Sequence, residues 1–329
     1  MPASGFAPTL SPQLRAMMRR QRGVFTADQA YDVGYSPDEV QRMREAGVVC
    51  SVRRGVYALA AQYAALDPLS RHEADVQAAL LRVKQPATVS HESAAVWTSL
   101  ELLRPNLRNV QFTRPELRAS RREAGIHHHL GELPQTHLRV VEDVVVTAPA
   151  RTAVDIARWT DFARGLAAAD SCLRDGTSRQ QLRQVMEFCS CWPGGRRASR
   201  VVAAADGRAA NPGESWSRAV LIEAGFEPTS IQLEVRDEAG LIGFADFGWE
   251  EQMTLGEFDG RRKYGVAPGS DPEQAGSVVW REKRREDRLR AAGFDVVRWT
   301  WEDLHRPAAL IARLQAAFAR AGSRRRTAV

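Results

Sequence analysis

The sequence is poor in lysine and cysteine, and it contains no long apolar run. Only three of its 46 basic residues are lysines, and there are four cysteines. The cysteines lack a second pair at zinc-ligand spacing, which predicts reduced, structural thiols. No apolar stretch approaches the ~18 residues that cross a bilayer, and the first residues lack the basic flank and apolar core of a signal peptide. We therefore expect a cytoplasmic protein without a membrane-spanning segment.

Length and charge set limits on the architecture. The chain has 329 residues, of which 44% are hydrophobic and 26% charged. At roughly 150 residues per domain, this length predicts two or three domains with their own cores. The net charge of +6 permits a nucleic-acid partner without requiring one. Shifts in composition predict an α/β (α+β) protein in three parts, over residues 10–62, 70–208 and 210–320.

The first part has the start and stop signals of three helices followed by a hairpin. Ser11-Pro12 opens one helix, and capping boxes at Thr26–Gln29 and Ser36–Glu39 open two more. Residues 48–59 are β-rich and are broken by Arg53-Arg54-Gly55, which favours a hairpin. This order is typical of a winged-helix DNA-binding domain.

The helix at residues 37–46 carries the predicted DNA-reading face. Val40 and Met43 lie three residues apart and predict its buried side. The outward side chains that we expect in the major groove of double-stranded DNA are Gln41, Arg42 and Arg44. At the hairpin tip, Arg53 and Arg54 are expected to contact phosphates or the minor groove. The alternative is that this small unit mediates protein contacts.

The middle part predicts a mixed α/β domain without a metal or nucleophile site. His127, His128 and His129 are consecutive in a β-rich run, so neighbours point to opposite faces and cannot all bind one metal. His91-Glu92-Ser93 lacks the strand-turn-helix elbow of a nucleophile and predicts a helix start. Arg151 and Asp155 are four residues apart and predict an ion pair on one helix.

Three acidic residues interrupt apolar strands in the last part. Asp246 lies within one strand, and Glu257 and Asp259 end the next strand on one face. A tight turn at Glu250-Glu251 would place Asp246 opposite Leu255, with Glu257 diagonal to it at ~7–8 Å. Carboxylates at that spacing can share a hard divalent cation, whereas without a cation they repel each other. A turn of odd length would move Asp246 to the other face.

This last part resembles the PD-(D/E)XK nuclease-like domains related to very-short-patch-repair endonucleases. The resemblance implies a restriction-endonuclease-like α/β fold in which Asp246 and Glu257 hold Mg²⁺ or Mn²⁺, Asp259 is a further ligand and Glu214 assists. Asp259 occupies the position of the usual catalytic lysine. Lys263, four residues later, is either a substitute for that lysine or a surface charge. The acids form either a functional site or a structural ion cluster.

The earlier parts resemble AbiEi-type antitoxins of toxin–antitoxin systems. Residues 22–30 and 47–57 are similar to their winged-helix domain, and residues 89–95 and 147–155 carry motifs of the same long proteins. The resemblance implies a cytoplasmic DNA-binding regulator that represses a toxin–antitoxin operon. It does not establish a cognate toxin, which is a candidate partner.

Three hypotheses follow for the whole chain. The first is a sequence-specific DNA-binding regulator of antitoxin type. The second is a metal-dependent DNA endonuclease whose first parts select the site, and the third is a non-enzymatic protein that neutralises a toxin. A basic helix predicted over residues 278–292 is either a phosphate track beside the acids or a solvated, internally paired face. Its basic side chains are Arg281, Lys283, Arg284, Arg285, Arg288 and Arg290.

Overall fold

The computed structural model of the protein describes residues 10–83, 87–260 and 284–327, and it has the predicted mixed α/β fold. The chain divides into two compact units, one of residues 1–100 and 104–156, the other of residues 101–103 and 157–329. The predicted middle part is therefore distributed over both units. None of the helices within the described ranges has the length and apolarity needed to cross a membrane.

The first unit begins with the predicted helices and hairpin. Its elements are α1 (Pro12–Arg20), β1 (Val24–Thr26), α2 (Ala27–Asp32), α3 (Pro37–Glu45), β2 (Val49–Arg53) and β3 (Val56–Leu59). Both predicted capping boxes form, at Thr26 and at Ser36. The short strand β1 was not predicted, and it joins an antiparallel sheet in the order β1-β3-β2. Leu14, Phe25 and Met43 lie in the core beneath this sheet.

A six-stranded sheet forms the rest of the first unit. Its elements are α4 (Ala60–Ala65), α5 (Pro68–Leu80), β4 (Thr88–Val89), α6 (His91–Trp97), β5 (Val110–Arg114), β6 (Arg121–Glu123), β7 (Ile126–Leu130), β8 (Leu138–Val141) and β9 (Val144–Thr147). The strand order is β6-β7-β5-β4-β9-β8, with β5–β7 and β4–β9 parallel and the other pairs antiparallel. Val89, Trp97 and Phe112 pack in its core.

The second unit opens with a group of helices. They are α7 (Pro149–Trp159), whose last residues enter this unit, α8 (Phe162–Arg174), α9 (Arg179–Phe188), α10 (Gly195–Ala204) and α11 (Pro212–Glu223). Helix α8 is central and almost entirely buried. Its Gly165 allows close approach, because a Cβ there would lie 3.0 Å from the Cα of Ala157. Within this group Asp170 and Arg218 form a buried ion pair of 2.7 Å.

A four-stranded sheet completes the second unit. Its elements are β10 (Ser230–Asp237), β11 (Gly240–Trp249), β12 (Thr254–Asp259), α12 (residues 284–291), β13 (Asp295–Thr300), α13 (Trp301–His305) and α14 (Ala308–Thr327). The order β10-β11-β12-β13 has two antiparallel pairs and one parallel pair, β12–β13. Phe247, Trp249 and Trp299 pack in a core with residues of α11 and α14, and Leu255 packs with Leu289 of α12 in another.

Candidate DNA-binding surface and acidic cluster

Helix α3 presents a polar, basic face above a buried stripe. Val40 and Met43 are 3% and 2% exposed, as the sequence predicts. The predicted DNA-reading side chains, Gln41, Arg42 and Arg44, are all exposed. Their recorded contacts are local: the Gln41 amide donates to Glu45 at 2.5 Å, and Arg42 Nε donates to the Asp38 carbonyl at 3.3 Å. Such exposed contacts within one helix exchange easily for contacts to a ligand.

Local sequence fixes where α3 begins. The Ser36 hydroxyl accepts from the amide of Glu39, and the Glu39 carboxylate accepts from the amide of Ser36 at 2.7 Å. The Ser36 amide and the Ser36 hydroxyl both donate to the Glu39 carboxylate, and these two hydrogen bonds lower the pKa of Glu39 because they favour its charged form. Pro37 provides the first helical residue, and Gly47 follows the helix with φ of +68°. The polar face of α3 is therefore held by capping at both ends.

The two arginines of the hairpin have different environments. Arg54 is exposed at the tip, as expected for a phosphate contact. Arg53 instead donates a hydrogen bond to the main-chain carbonyl of Ala124, in the turn between β6 and β7. Burial lowers the pKa of the Arg53 guanidinium. The expectation of a DNA contact therefore applies to Arg54, since Arg53 is occupied within the first unit.

Arg22 makes a second connection between these parts of the first unit. Its guanidinium forms ion pairs with Glu73 at 3.2 Å and Glu142 at 2.5 Å, and its Cζ lies 4.9 Å from the ring centroid of Trp97. This role of Arg22 could not be predicted from the sequence, because its partners are 51 to 120 residues away and no spacing rule links them.

Three of the histidines form a stack. The ring of His129 lies 3.7 Å from that of His91 and 3.8 Å from that of His127, between centroids. His128 points to the other face, towards Phe112, which confirms the predicted alternation. Within the described ranges no group of three or more His, Cys, Asp or Glu side chains has the arrangement of a metal site.

The motif His91-Glu92-Ser93 starts helix α6, as predicted. Glu92 accepts hydrogen bonds from the amide of Asn106 and the side chain of Gln111, both at 3.1 Å. The Ser93 hydroxyl accepts from the amide of Gln111 at 2.9 Å and lies 2.8 Å from Nε2 of His72. The motif therefore satisfies buried main-chain and side-chain groups, which is a structural role.

Two of the predicted acidic site residues come together around one amide. The side chain of Gln232 donates to Glu214 at 3.1 Å and to Asp246 at 3.3 Å, and Asp246 also accepts from the amide of Phe258 at 2.8 Å. Burial raises the pKa of both carboxyl groups, and negative charge nearby adds to the rise: Asp246 for Glu214, and Glu257 for Asp246.

The register of the hairpin differs from the predicted one. The four residues 250–253 separate β11 from β12, and Leu255 lies opposite Gly248 where Asp246 was expected. The predicted register requires a two-residue turn at Glu250-Glu251. Because the register shift is even, Asp246 and Glu257 stay on the same face of the sheet, in agreement with the repulsion between them.

Glu257 is compensated by arginines. Its two carboxylate oxygens lie 2.8 Å from Arg285 of α12 and 2.8 Å from Arg298 of β13. Asp259, at the end of β12, is half-buried, and Lys263 lies outside the described residues. The carboxylates of Glu214 and Asp246 are thus engaged by main-chain and side-chain amides, and that of Glu257 by two guanidinium groups. This arrangement does not fit a divalent-cation ligand set.

The described part of the basic helix is mostly paired with acids. Arg288 binds Asp237 at 2.6 Å, and Arg290 binds Glu286 at 2.5 Å. These contacts favour the solvated, internally paired face over a phosphate track. Arg281 and Lys283 lie outside the described residues.

The comparisons with known proteins point to antitoxins for one segment. Residues 89–192 match the family described as AbiEi antitoxin C-terminal domain. The match covers less than half of the chain and includes the motifs at 89–95 and 147–155. It connects this segment with toxin–antitoxin systems, and it does not extend to residues 210–320, for which the sequence predicted a nuclease-like domain.

Similar proteins come from Mycobacterium tuberculosis. The uncharacterized proteins MT2308 (strain CDC 1551) and Rv2248 (strain H37Rv) are each 29% identical to this chain over 194 residues. These alignments span 57% of this chain and 66% of each relative, just under two thirds of its length. The crystal structure of the RV2827C protein aligns with a TM-score of 0.40 and 15% identity, over 68% of this chain and 87% of that chain.

Proposed function

We propose that the protein is a DNA-binding regulator of antitoxin type. The observation that carries the proposal is the exposed Gln41, Arg42 and Arg44 face of α3, held above the buried Val40 and Met43. It belongs to an α1–β1–α2–α3–β2–β3 arrangement, which is the order of a winged helix. The antitoxin match at residues 89–192 supports the regulatory role.

In this proposal α3 is the recognition helix. Arginine donates two hydrogen bonds to the O6 and N7 of guanine, and glutamine pairs with adenine in the same bidentate way. Arg42, Arg44 and Gln41 would therefore read base edges in the major groove. Arg54 at the hairpin tip would contact a phosphate, which positions the domain without reading sequence.

The test compares specific with random DNA. The probes are a duplex from the region upstream of the protein's own coding sequence and a shuffled duplex of equal composition. Arg42→Ala with Arg44→Ala should narrow the affinity gap between them by about tenfold or more, since a bidentate base contact contributes ~1–3 kcal/mol of discrimination. Arg313→Ala with Arg320→Ala removes the same charge from α14 and should leave the gap unchanged. Equal binding of both duplexes by the wild type would contradict the proposal.

A cognate toxin is the second element of the proposal. The segment that matches the antitoxin family contains α6, the strands β5 to β9 and helices α7 to α9. Copurification of the product of an adjacent gene with the tagged chain tests this element. Capture of a toxin by a chain that does not bind DNA would instead favour the non-enzymatic neutralising protein.

A metal-dependent endonuclease is the second candidate function. It is favoured by the approach of Glu214 of α11 and Asp246 of β11 around the side chain of Gln232 of β10. The pairing of Glu257 with Arg285 and Arg298 weighs against it. Nicking of a supercoiled plasmid with Mg²⁺ or Mn²⁺, lost in Asp246→Asn, would establish this candidate.

A further inference from the structure

The pair of helices α9 and α10 in the second unit is strongly basic. Residues 178–204 contain five arginines, and Glu187 is their one acidic residue. Leu182, Val185 and Met186 form the buried stripe of α9, which turns Arg179, Gln180, Arg183 and Gln184 outward. An arginine- and glutamine-rich face on a capped helix repeats the chemistry of α3.

A cleft of about 540 Å³ lies between the two helices. Arg179 and Arg183 line it from α9, and Arg196 lines it from α10. Ser190 and Ser199 contribute two hydroxyl groups, Glu187 contributes the one carboxylate of the lining, and Met186 contributes an apolar surface. Arg179 lies 3.5 Å from Asp206, whereas in the described part of the chain no acid forms an ion pair with Arg183 or Arg196.

The start of α10 adds positive charge to the same cleft. Its N-cap is Gly194, which has no capping side chain, and its first turn contains Arg196 and Arg197 without an acid. The N-terminus of a helix is itself positive, so arginines there are unfavourable unless an anion is bound. The loop before α10 is tightly packed, because a Cβ at Gly194 would lie 2.2 Å from the carbonyl oxygen of Arg158.

We propose that the cleft between α9 and α10 binds backbone phosphates of DNA, as a second contact separate from α3; this inference rests on the proposed DNA-binding function. The three guanidinium groups, on both walls, match phosphate oxygens and outnumber the one carboxylate of Glu187, and the two hydroxyls supply further donors. The contact carries no sequence information. Arg197, bound to the carbonyl of Thr160, and Arg200, over the ring of Phe162, belong to the scaffold.

The experiment measures binding of the full chain to a fluorescein-labelled random 20-base-pair duplex between 50 and 300 mM salt. Arg183→Ala with Arg196→Ala should lower the slope of log affinity against log salt by about 1 to 2, because each phosphate contact contributes ~0.9. Affinity near physiological salt should fall about tenfold. The control is again Arg313→Ala with Arg320→Ala, which removes the same charge, together with ion pairs to Asp303 and Asp295, and should leave the slope unchanged. A cooperative thermal melting transition of both double variants verifies that they fold.

The outcomes separate this inference from the proposed function. If only Arg42→Ala with Arg44→Ala weakens binding, the proposed function stands and the second contact is wrong. If only the cleft variant weakens binding, the second contact stands and α3 is not the recognition helix. A wild type that binds no duplex overturns both. Polyglutamate that binds the wild type more tightly than the duplex, and depends on Arg183 and Arg196, would identify an acidic protein as the occupant and overturn the inference.

Discussion

Arg53 donates a hydrogen bond to the main-chain carbonyl of Ala124, and this contact joins the β2–β3 hairpin to the six-stranded sheet. Arg22 joins the end of α1 to the same part of the first unit through Glu73, Glu142 and Trp97. The proposed DNA-binding elements and the start of the antitoxin-like segment are therefore fixed to each other by two arginines. A ligand that moved the β6–β7 turn would move the hairpin as well.

Substitutions of the two neighbouring arginines of the hairpin should separate an effect on stability from an effect on DNA binding. Arg53→Ala removes a hydrogen bond from a charged donor and leaves the Ala124 carbonyl without it, so the free energy of unfolding should fall by about 1–2 kcal/mol. Arg54→Ala removes an exposed side chain and should change stability by less than ~0.5 kcal/mol. Urea denaturation measures both effects.

In the salt dependence of DNA binding, Arg54→Ala should have the larger effect and Arg53→Ala the smaller one. Arg54→Ala is expected to lower the slope of log affinity against log salt by about 1, the value for one phosphate contact. Arg53→Ala should retain the wild-type slope where it is folded. If the Arg53→Ala protein is stable and its slope is reduced, Arg53 contacts DNA. This outcome would contradict its assignment to the hydrogen bond with Ala124.

Local signals predicted much of the first unit. The capping boxes at Thr26 and Ser36 and the prolines at positions 12 and 37 fixed helix starts correctly, because each depends on residues within three positions. Long-range contacts were missed for the same reason. Nothing near Arg53 in the sequence indicates that it meets a turn 71 residues later.

In the acidic cluster, too, local patterns were predicted and long-range contacts were missed. For a turn of even length, alternation along β11 and β12 predicts that Asp246 and Glu257 share a face, and the turn of four residues meets this condition. The predicted pairing was displaced by two residues, because the turn has four residues and turn length sets register. The partners of Glu257 could not be predicted, since Arg285 and Arg298 come from α12 and β13 and are recruited only by the fold.

Buried His72 should make the protein less stable in mild acid. Burial lowers the pKa of His72 to about 4, so the folded state keeps the ring neutral while the unfolded state takes up a proton below pH ~6.5. Stability is therefore lost as the pH falls from about 6.5 towards 4. At about 1.4 kcal/mol per unit of pKa, the loss from this residue is on the order of 3 kcal/mol.

Denaturation curves between pH 7 and pH 4 test this expectation. His72→Gln, which can keep a hydrogen bond to Ser93, should reduce the acid sensitivity. Part of it should remain, because burial also lowers the pKa of His127, His128 and His137. His305→Gln changes an exposed histidine and serves as the control. Identical pH dependence of wild type and His72→Gln would mean that His72 is not buried as a neutral ring.

Asp246 should destabilise the protein at neutral pH. Its raised pKa means that the folded state binds the proton more tightly than the unfolded state, so stability falls as the pH rises from 3.8 through the raised value. Asp246→Asn removes the charge next to Glu214 and Glu257 and can retain the Phe258 hydrogen bond. At pH 7 we expect it to raise the free energy of unfolding, on the order of 1 kcal/mol. The gain should disappear below pH ~3.8.

Asp237 supplies a control in which the pKa shift has the opposite direction. The hydrogen bonds from Arg288 lower the pKa of Asp237, so Asp237→Asn should lose stability at neutral pH.

Mn²⁺ separates the two interpretations of the acidic cluster, a metal site and a structural ion cluster. Because Arg285 and Arg298 already compensate Glu257, millimolar Mn²⁺ should not stabilise the wild type. A metal site filled at ten times its dissociation constant would add about 1.4 kcal/mol, and Asp246→Asn would abolish that gain. Such a shift would restore the divalent-cation site, and with it the endonuclease candidate.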